Sequence, residues 1–315
     1  MLVALCGGVG AARMLSGLVR VVPPADVTAI VNVGDDVVLH GLHISPDLDT
    51  VLYTLAGMDN RDTGWGVAGE TWAVMDELAR IGGEDWFRLG DRDLATHLFR
   101  TGRLQAGDTL SAVTAQLCAR RGVTVRMLPV TDDPLRTRVV LAEASPLGPA
   151  GTEVAFQDYF VRLHHAVAVS GVRFEGAPAT RPAPGVMEAL GSADTIVVCP
   201  SNPVVSIGPL LSVPGVRAAL AARRTQVVAV SPIVAGAALK GPADRLMVEL
   251  GTEASVVGVA RLYAPWVGTL VVDVADASLA ADVEAEGVRC IVVPTVMSSP
   301  ERAADLARVV VDGAG

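Results

Sequence analysis

Short β-branched runs recur along the chain, separated by stretches whose apolar positions return every three or four residues. The runs at 2–6 (LVALC), 27–32 (VTAIVN), 124–130, 194–199 (DTIVVC), 226–231 (QVVAVS), 268–273 and 288–293 (VRCIVV) are apolar almost throughout. That pattern suits strands covered on both faces of a parallel sheet, where alternation disappears. Helical spacing predicts helices over 11–20, 70–81, 107–121, 214–223, 276–286 and 300–311. Alternating strands and helices specify an α/β fold with a doubly wound, mostly parallel sheet. Two blocks interrupt the rhythm. Residues 45–122 show helical periodicity and no clear strand, a helical insertion over one face; residues 137–185 form a small α+β excursion. Both belong to a single domain spanning 1–315.

Ligands of open α/β sheets bind beyond the carboxyl ends of the strands, so the residues after each run carry the chemistry. The first run ends in Gly7-Gly8-Val9-Gly10-Ala11-Ala12-Arg13. Glycines there admit close backbone approach, and the following helix offers unpaired N–H groups to an anion. Arg13 stands where a dinucleotide fingerprint needs its third glycine, and no G-K-[ST] makes it a P-loop. The second run ends in Asn32-Val33-Gly34-Asp35-Asp36, and paired acids after a buried strand suit a hard divalent cation bridging phosphate oxygens. Capping by the same aspartates is the structural alternative. In Ser45-Pro46-Asp47-Leu48-Asp49, Ser45 suits a helix cap, Pro46 a first turn and Asp49 the acid of a capping box. Asp47 and Asp49 cannot both face one way from a helix, so one is free to point into a site. Loops at Cys199-Pro200-Ser201-Asn202-Pro203 and at Ser231-Pro232 complete a composite phosphate-binding edge.

Composition narrows the class. The chain is 51% hydrophobic and 19% charged, with 25 Lys+Arg against 34 Asp+Glu, a net charge of −9. An acidic surface argues against nucleic acid and anionic membranes as partners, and an anionic ligand then needs a metal or local donors. Cys6, Cys118, Cys199 and Cys290 have no zinc spacing and read as small core residues. No basic leader and no apolar run of membrane length stands out, which implies a cytoplasmic, soluble protein. His40, His43, His164 and His165 form no triad, and His97, in a helical stretch from Asp91 to Thr101, reads as structural.

Eight motifs occur in order over nearly the whole chain: GGVGAARML, VNVGDD, HISPDLDTVLYTLAG, GDRDLATHLFRT, LPVTDDPLRT, FQDYFV, CPSNPVVSIGP and VSPIVAG…GPADRLM. Together they resemble the 2-phospho-L-lactate transferases of deazaflavin coenzyme F-420 biosynthesis. The resemblance implies a Rossmann-like fold, a homodimer and dependence on Mg²⁺. It implies transfer of a phospho-C3-acid unit from a guanosine-diphosphate-linked donor to 7,8-didemethyl-8-hydroxy-5-deazariboflavin, with release of GMP. The family's deazaflavin contacts fall on Asp49 and Arg88, which makes Asp49 the candidate catalytic base. Asp35 and Asp36 become the metal ligands; Gly7, Gly8, Gly10, Arg13, Ser201, Asn202 and Ser231 become the phosphate and nucleotide contacts. A single lysine among 25 basic residues suits an actinobacterial source, where the donated unit is phosphoenolpyruvyl rather than phospholactyl. The alternative is a non-enzymatic nucleotide-sugar-binding regulator of carbon metabolism, whose family shares the glycine and paired-Asp loops. VVLHGLHISPDLDTVLYTL follows the transferase pattern instead.

Overall fold

The computed structural model describes residues 1–313. Seven strands form one parallel sheet: β1 (Leu2–Cys6), β2 (Val27–Val31), β3 (Arg126–Pro129), β4 (Thr195–Val198), β5 (Val227–Val230), β6 (Thr269–Val272) and β7 (Arg289–Val292). Their spatial order is β7-β6-β5-β4-β1-β2-β3. Each matches one of the apolar runs. Strands β1, β2, β5 and β6 are buried along their whole length, as helices on both faces require. The order reverses at β1, where Leu2 pairs with Val27 of β2 on one edge and with Thr195 of β4 on the other. This is the Rossmann-type arrangement, with its crevice between the ends of β1 and β4.

Block 45–122 supplies four helices: α2 (Pro46–Leu55), α3 (Ala73–Arg80), α4 (Asp91–Gln105) and α5 (Leu110–Arg120), following α1 (Val9–Leu18) in the first crossover. A hairpin of Val37–Leu39 and Leu42–Ile44 precedes them and is absent from the periodicity, because each arm has three residues. Its turn is His40-Gly41, both at positive φ (53° and 75°), the backbone a two-residue hairpin prefers. The excursion is a three-stranded antiparallel sheet with Arg136–Leu141 between Glu153–Ala155 and Val169–Glu175. It has a small core of its own, including Val139, Leu141, Phe156 and Tyr159. Helices Val186–Ser192, Gly208–Ser212, Ala243–Glu249 and Val256–Tyr263 also escaped the sequence reading. The first three have seven residues or fewer, and the last is buried nearly all round, which removes the polar face that periodicity needs. Among the described residues no single helix is long and apolar enough to cross a membrane.

Cys6 and Cys199, far apart in sequence, end β1 and β4 side by side, their sulfurs 3.9 Å apart. Above them the chain is packed to its limit. A Cβ on Gly10 would collide with the carbonyl oxygen of Pro200, and one on Gly7 would lie 2.6 Å from Ser206 Cβ. These glycines therefore bring two loops together as well as baring backbone. Gly10→Ala should lower stability by about 1–3 kcal/mol, the usual cost of overpacking. A melting temperature equal to wild type would show that the Pro200 loop moves freely.

Candidate functional site

A cavity of about 640 Å³ opens at the crevice. Its floor is the sheet's carboxyl edge, with Gly8, Gly10, Asp35, Pro200, Ser201, Asn202 and Ser231 on its wall. The strand-end loops thus converge as the topology demands. Helix α1 starts there without a side-chain cap, so its first N–H groups point toward the cavity at the positive end of its dipole. Gly8 lies so close to Asp47 that a Cβ would be 2.8 Å from Asp47 Oδ1.

The phosphate candidates divide by which hydrogens they have left. Ser201 is buried and accepts from the Gly7 N–H at 3.4 Å, leaving its hydroxyl proton to donate. Asn202 Oδ1 accepts from the N–H groups of Val204 (2.9 Å) and Val205 (3.3 Å), so it caps its own turn and only its NH₂ is free. Ser231 lines the cavity; its hydroxyl donates to Ile233 O at 2.9 Å, and its oxygen accepts from Ile233 N–H. Arg13 lines the cavity, exposed and without an ion-pair partner among the described residues. Beside it Lys240, the only lysine, donates to Thr63 O at 2.9 Å; partial burial and then the Arg13 charge hold its ammonium below the usual range.

The acids also divide. Asp35 lines the cavity; burial, then the charges of Asp47 and Asp36, push its carboxyl well up. Asp47 lines it too, accepts from Asn32 Nδ2 at 2.9 Å, and burial raises it to about 6. Asp36 departs from the expected metal pair. It is not on the cavity wall; one oxygen accepts from Ser45 Oγ at 2.8 Å, and the other is buried without a partner. Burial raises it to about 7. A tight turn, closed by the Asp36 N–H on Val33 O at 3.2 Å, sends the two side chains different ways, and the acid beside Asp35 is Asp47, from α2. Two desolvated, mutually repelling carboxylates with no cationic partner are the donor set a hard divalent cation fits.

Asp49 forms no capping box. Ser45 makes no side-chain cap, and the Asp49 carboxylate turns to Arg100, which grips both oxygens, with His97 Nδ1 3.6 Å away. The pair is buried, its side chains 6% and 2% exposed. Arg88 lies on the cavity rim, half-exposed, paired with Asp76 at 2.7 Å and placed over the Trp72 ring. Residues 45–122 thus bring both expected acceptor contacts to one wall. Spacing left Asp47 and Asp49 as alternatives, and both line the cavity; Asp93, His97 and Arg100 were not singled out for the site, although the i, i+4 spacing of Asp93 and His97 along α4 was in plain view. Aromatic side chains escaped entirely: Tyr53, Trp65, Trp86, Phe87, Phe156 and Phe160, six of the chain's twelve, line this one cavity. They come from four separate segments, which only folding brings together.

Residues 2–296 match the family described as 2-phospho-L-lactate transferase CofD. The chain belongs to the 2-phospho-L-lactate transferase family. Among relatives, it is 48% identical to a phosphoenolpyruvate transferase of Kitasatospora aureofaciens, over 98% of this chain and 95% of that one. Identity is 47% with the phosphoenolpyruvate transferase of Streptomyces griseus (98% and 96% covered) and 41% with that of Mycolicibacterium smegmatis (99% and 98%). A solved structure of a UPF0052 family member from Bacillus halodurans superposes with a TM-score of 0.59 at 18% identity, covering 98% of both chains. At that identity the likeness concerns the fold, which this transferase-family chain shares.

Two outcomes follow from the electrostatics. Asp36 and Asp47 titrate higher folded than their ordinary 3.8, so their contribution to stability is complete below about pH 4 and is lost as pH rises to about 7. Asp36→Asn should therefore gain stability relative to wild type across that window in metal-free buffer. A difference in melting temperature that does not change with pH would contradict it. Asp49→Asn, nearly isosteric, would leave the Arg100 charge buried and unpaired, so unfolding free energy should fall by roughly 3–5 kcal/mol. An unchanged denaturation midpoint would show that water reaches Arg100.

Proposed function

We propose that this chain transfers a phosphoenolpyruvyl unit from a guanosine-diphosphate-linked donor to the ribityl hydroxyl of 7,8-didemethyl-8-hydroxy-5-deazariboflavin, releasing GMP. The observation that carries the reading is that two kinds of lining meet in one cavity. One is the sheet edge, with free N–H groups, Ser201 and desolvated acids, suited to a diphosphate and its counter-ion. The other holds half of the chain's aromatic rings, suited to a flat heteroaromatic acceptor. A nucleotide-sugar-binding regulator needs the first lining but has no use for the second. The phosphoenolpyruvyl donor is favoured over phospholactyl by the names of the actinobacterial relatives.

Asp35 and Asp47 would hold Mg²⁺, which when bound neutralises charge on the diphosphate. The α1 N-terminus, Ser201 Oγ and Arg13 hold phosphate oxygens in the orientation for in-line displacement. The Asn202 amide nitrogen adds a donor. Trp86, Phe87 and Arg88 flank the ring system of the acceptor, and Asp49 orients the attacking hydroxyl. Arg100 fixes the Asp49 carboxylate in a single rotamer.

Mg²⁺ should raise the melting temperature of the wild type, by the equivalent of about 2.7 kcal/mol at a concentration of 100 dissociation constants. Asp35→Asn and Asp47→Asn should each abolish that rise, and Asp36→Asn should keep it. Mass spectrometry of reactions containing acceptor and each donor should find the phosphoenolpyruvyl adduct and GMP, and EDTA should remove both. Full turnover in EDTA, or no adduct with any donor, would refute the metal role or the function respectively.

A further inference from the structure

Two cations stand together at the cavity mouth, and the protein supplies neither with an acid. Arg13 lies on α1 one turn beyond Val9, so the two side chains share a face of the helix. Lys240, the chain's only lysine, follows the short hairpin of Ile233–Val234 with Ala237–Ala238 and lines the cavity. They converge beside Gly64. A Cβ there would lie 2.9 Å from Lys240 Nζ, 3.1 Å from Val9 Cγ1 and 3.7 Å from an Arg13 guanidinium nitrogen.

Like charges set side by side cost free energy that an ion pair would return. The chain has 34 acidic residues, yet among the described residues neither cation forms a salt bridge. Burial and then the Arg13 charge both act against the Lys240 ammonium, and no carboxylate opposes them. One Lys240 N–H donates to Thr63 O at 2.9 Å, and the others remain to donate elsewhere. The pair is built for an anion from outside the protein.

The choice of anion rests on the transferase reading, in which the donor carries anionic groups of two kinds. Its diphosphate is served by the α1 N-terminus, Ser201, Arg13 and the counter-ion. The carboxylate of its C3 acid has no such provision along the sheet edge. That carboxylate is joined to the transferred phosphorus through one carbon and one oxygen, so the cation that serves it must stand next to a cation that serves phosphate. Lys240 beside Arg13 meets that requirement. Arg88, also on the cavity wall, does not, because it is paired with Asp76 and lies over the Trp72 ring.

We propose that Lys240 determines donor specificity, its Nζ donating to the carboxylate of the C3 acid while Arg13 holds the adjoining phosphate. An ammonium disfavoured by burial and a like charge gains most from an arriving anion. A guanosine-diphosphate-linked sugar would place neutral hydroxyls there and leave the two like charges unrelieved, so it is rejected. Lys240 makes and breaks no covalent bond.

A lysine that only ties the loop at Thr63 to the mouth makes a different forecast. Lys240→Gln keeps a hydrogen-bond donor for Thr63 O and removes the charge, and GDP with Mg²⁺ is a probe that has the diphosphate but lacks the C3 acid. In Lys240→Gln the KM for the phosphoenolpyruvyl donor should rise by about 10-fold or more, the worth of one charge-assisted hydrogen bond. GDP affinity, acceptor KM and melting temperature should stay close to wild type, and Lys240→Arg should recover most of the donor KM. The methyl ester of the donor carboxylate should show the same rise in KM with wild-type protein, a measurement that needs no variant; Lys240→Gln should no longer tell ester from acid. GDP affinity that falls in step with the donor KM places Lys240 on the diphosphate and overturns the proposal. Donor, acceptor and GDP all weakened together, with a lower melting temperature, overturn it in favour of the tie. Wild-type protein that makes no adduct overturns the transferase reading and this proposal with it, whereas an active wild type that uses ester and acid alike overturns this proposal alone.

Discussion

Strand β1 pairs along both edges, with β2 and with β4, and the rest of the molecule is arranged around that double pairing. Successive crossovers leave β1 and β4 in opposite directions, so no helix covers the sheet edge between them. The gap bares the start of α1 and the loop at Ser201, and it leaves room for α2 to lower Asp47 onto Gly8. Replacing either edge pairing would shift all of these at once. The close approach of Gly10 to Pro200 shows how little clearance the arrangement has.

Within the crevice the governing term is desolvation. Three aspartates near the sheet edge, Asp35, Asp36 and Asp47, are buried without a salt bridge, while Asp49, two residues beyond Asp47 on α2, has Arg100. The same helix therefore carries one acid whose charge is balanced by the protein and one whose charge is not. An overall charge of −9 heightens that difference, because the cations lining the cavity, Arg13, Arg88 and Lys240, are few.

Local patterns were legible in the sequence. The seven apolar runs all became sheet strands, and the strand-end loops met where the topology rule requires. Side-chain direction was harder. Asp35 and Asp36 look equivalent as a motif, but their loop turns one to the cavity and the other to Ser45. Ser231 occupies the expected place, but the motif does not show that its hydroxyl donates to Ile233. His97 looked like a core histidine because its partner Asp49 lies on another helix, and the aromatic wall is assembled from segments more than a hundred residues apart. Such long-range assembly has no local signature. Family resemblance supplied what spacing left open between Asp47 and Asp49, and the geometry gives both a place on the cavity wall.

The central strand also constrains the order in which the chain can be built. β1 is made long before its second neighbour, β4, which does not begin until Thr195. At roughly 5–20 residues per second, the open edge of an apolar strand waits on the order of ten to forty seconds for its mate. Until then the edge of β1 that pairs with β4 has no partner, and an unpaired apolar edge is a template for intermolecular pairing. The nascent chain is therefore most in need of chaperone protection while residues 32–194 are being made. Mutations that slow synthesis of residues 32–194 should affect yield without touching the stability of the finished protein.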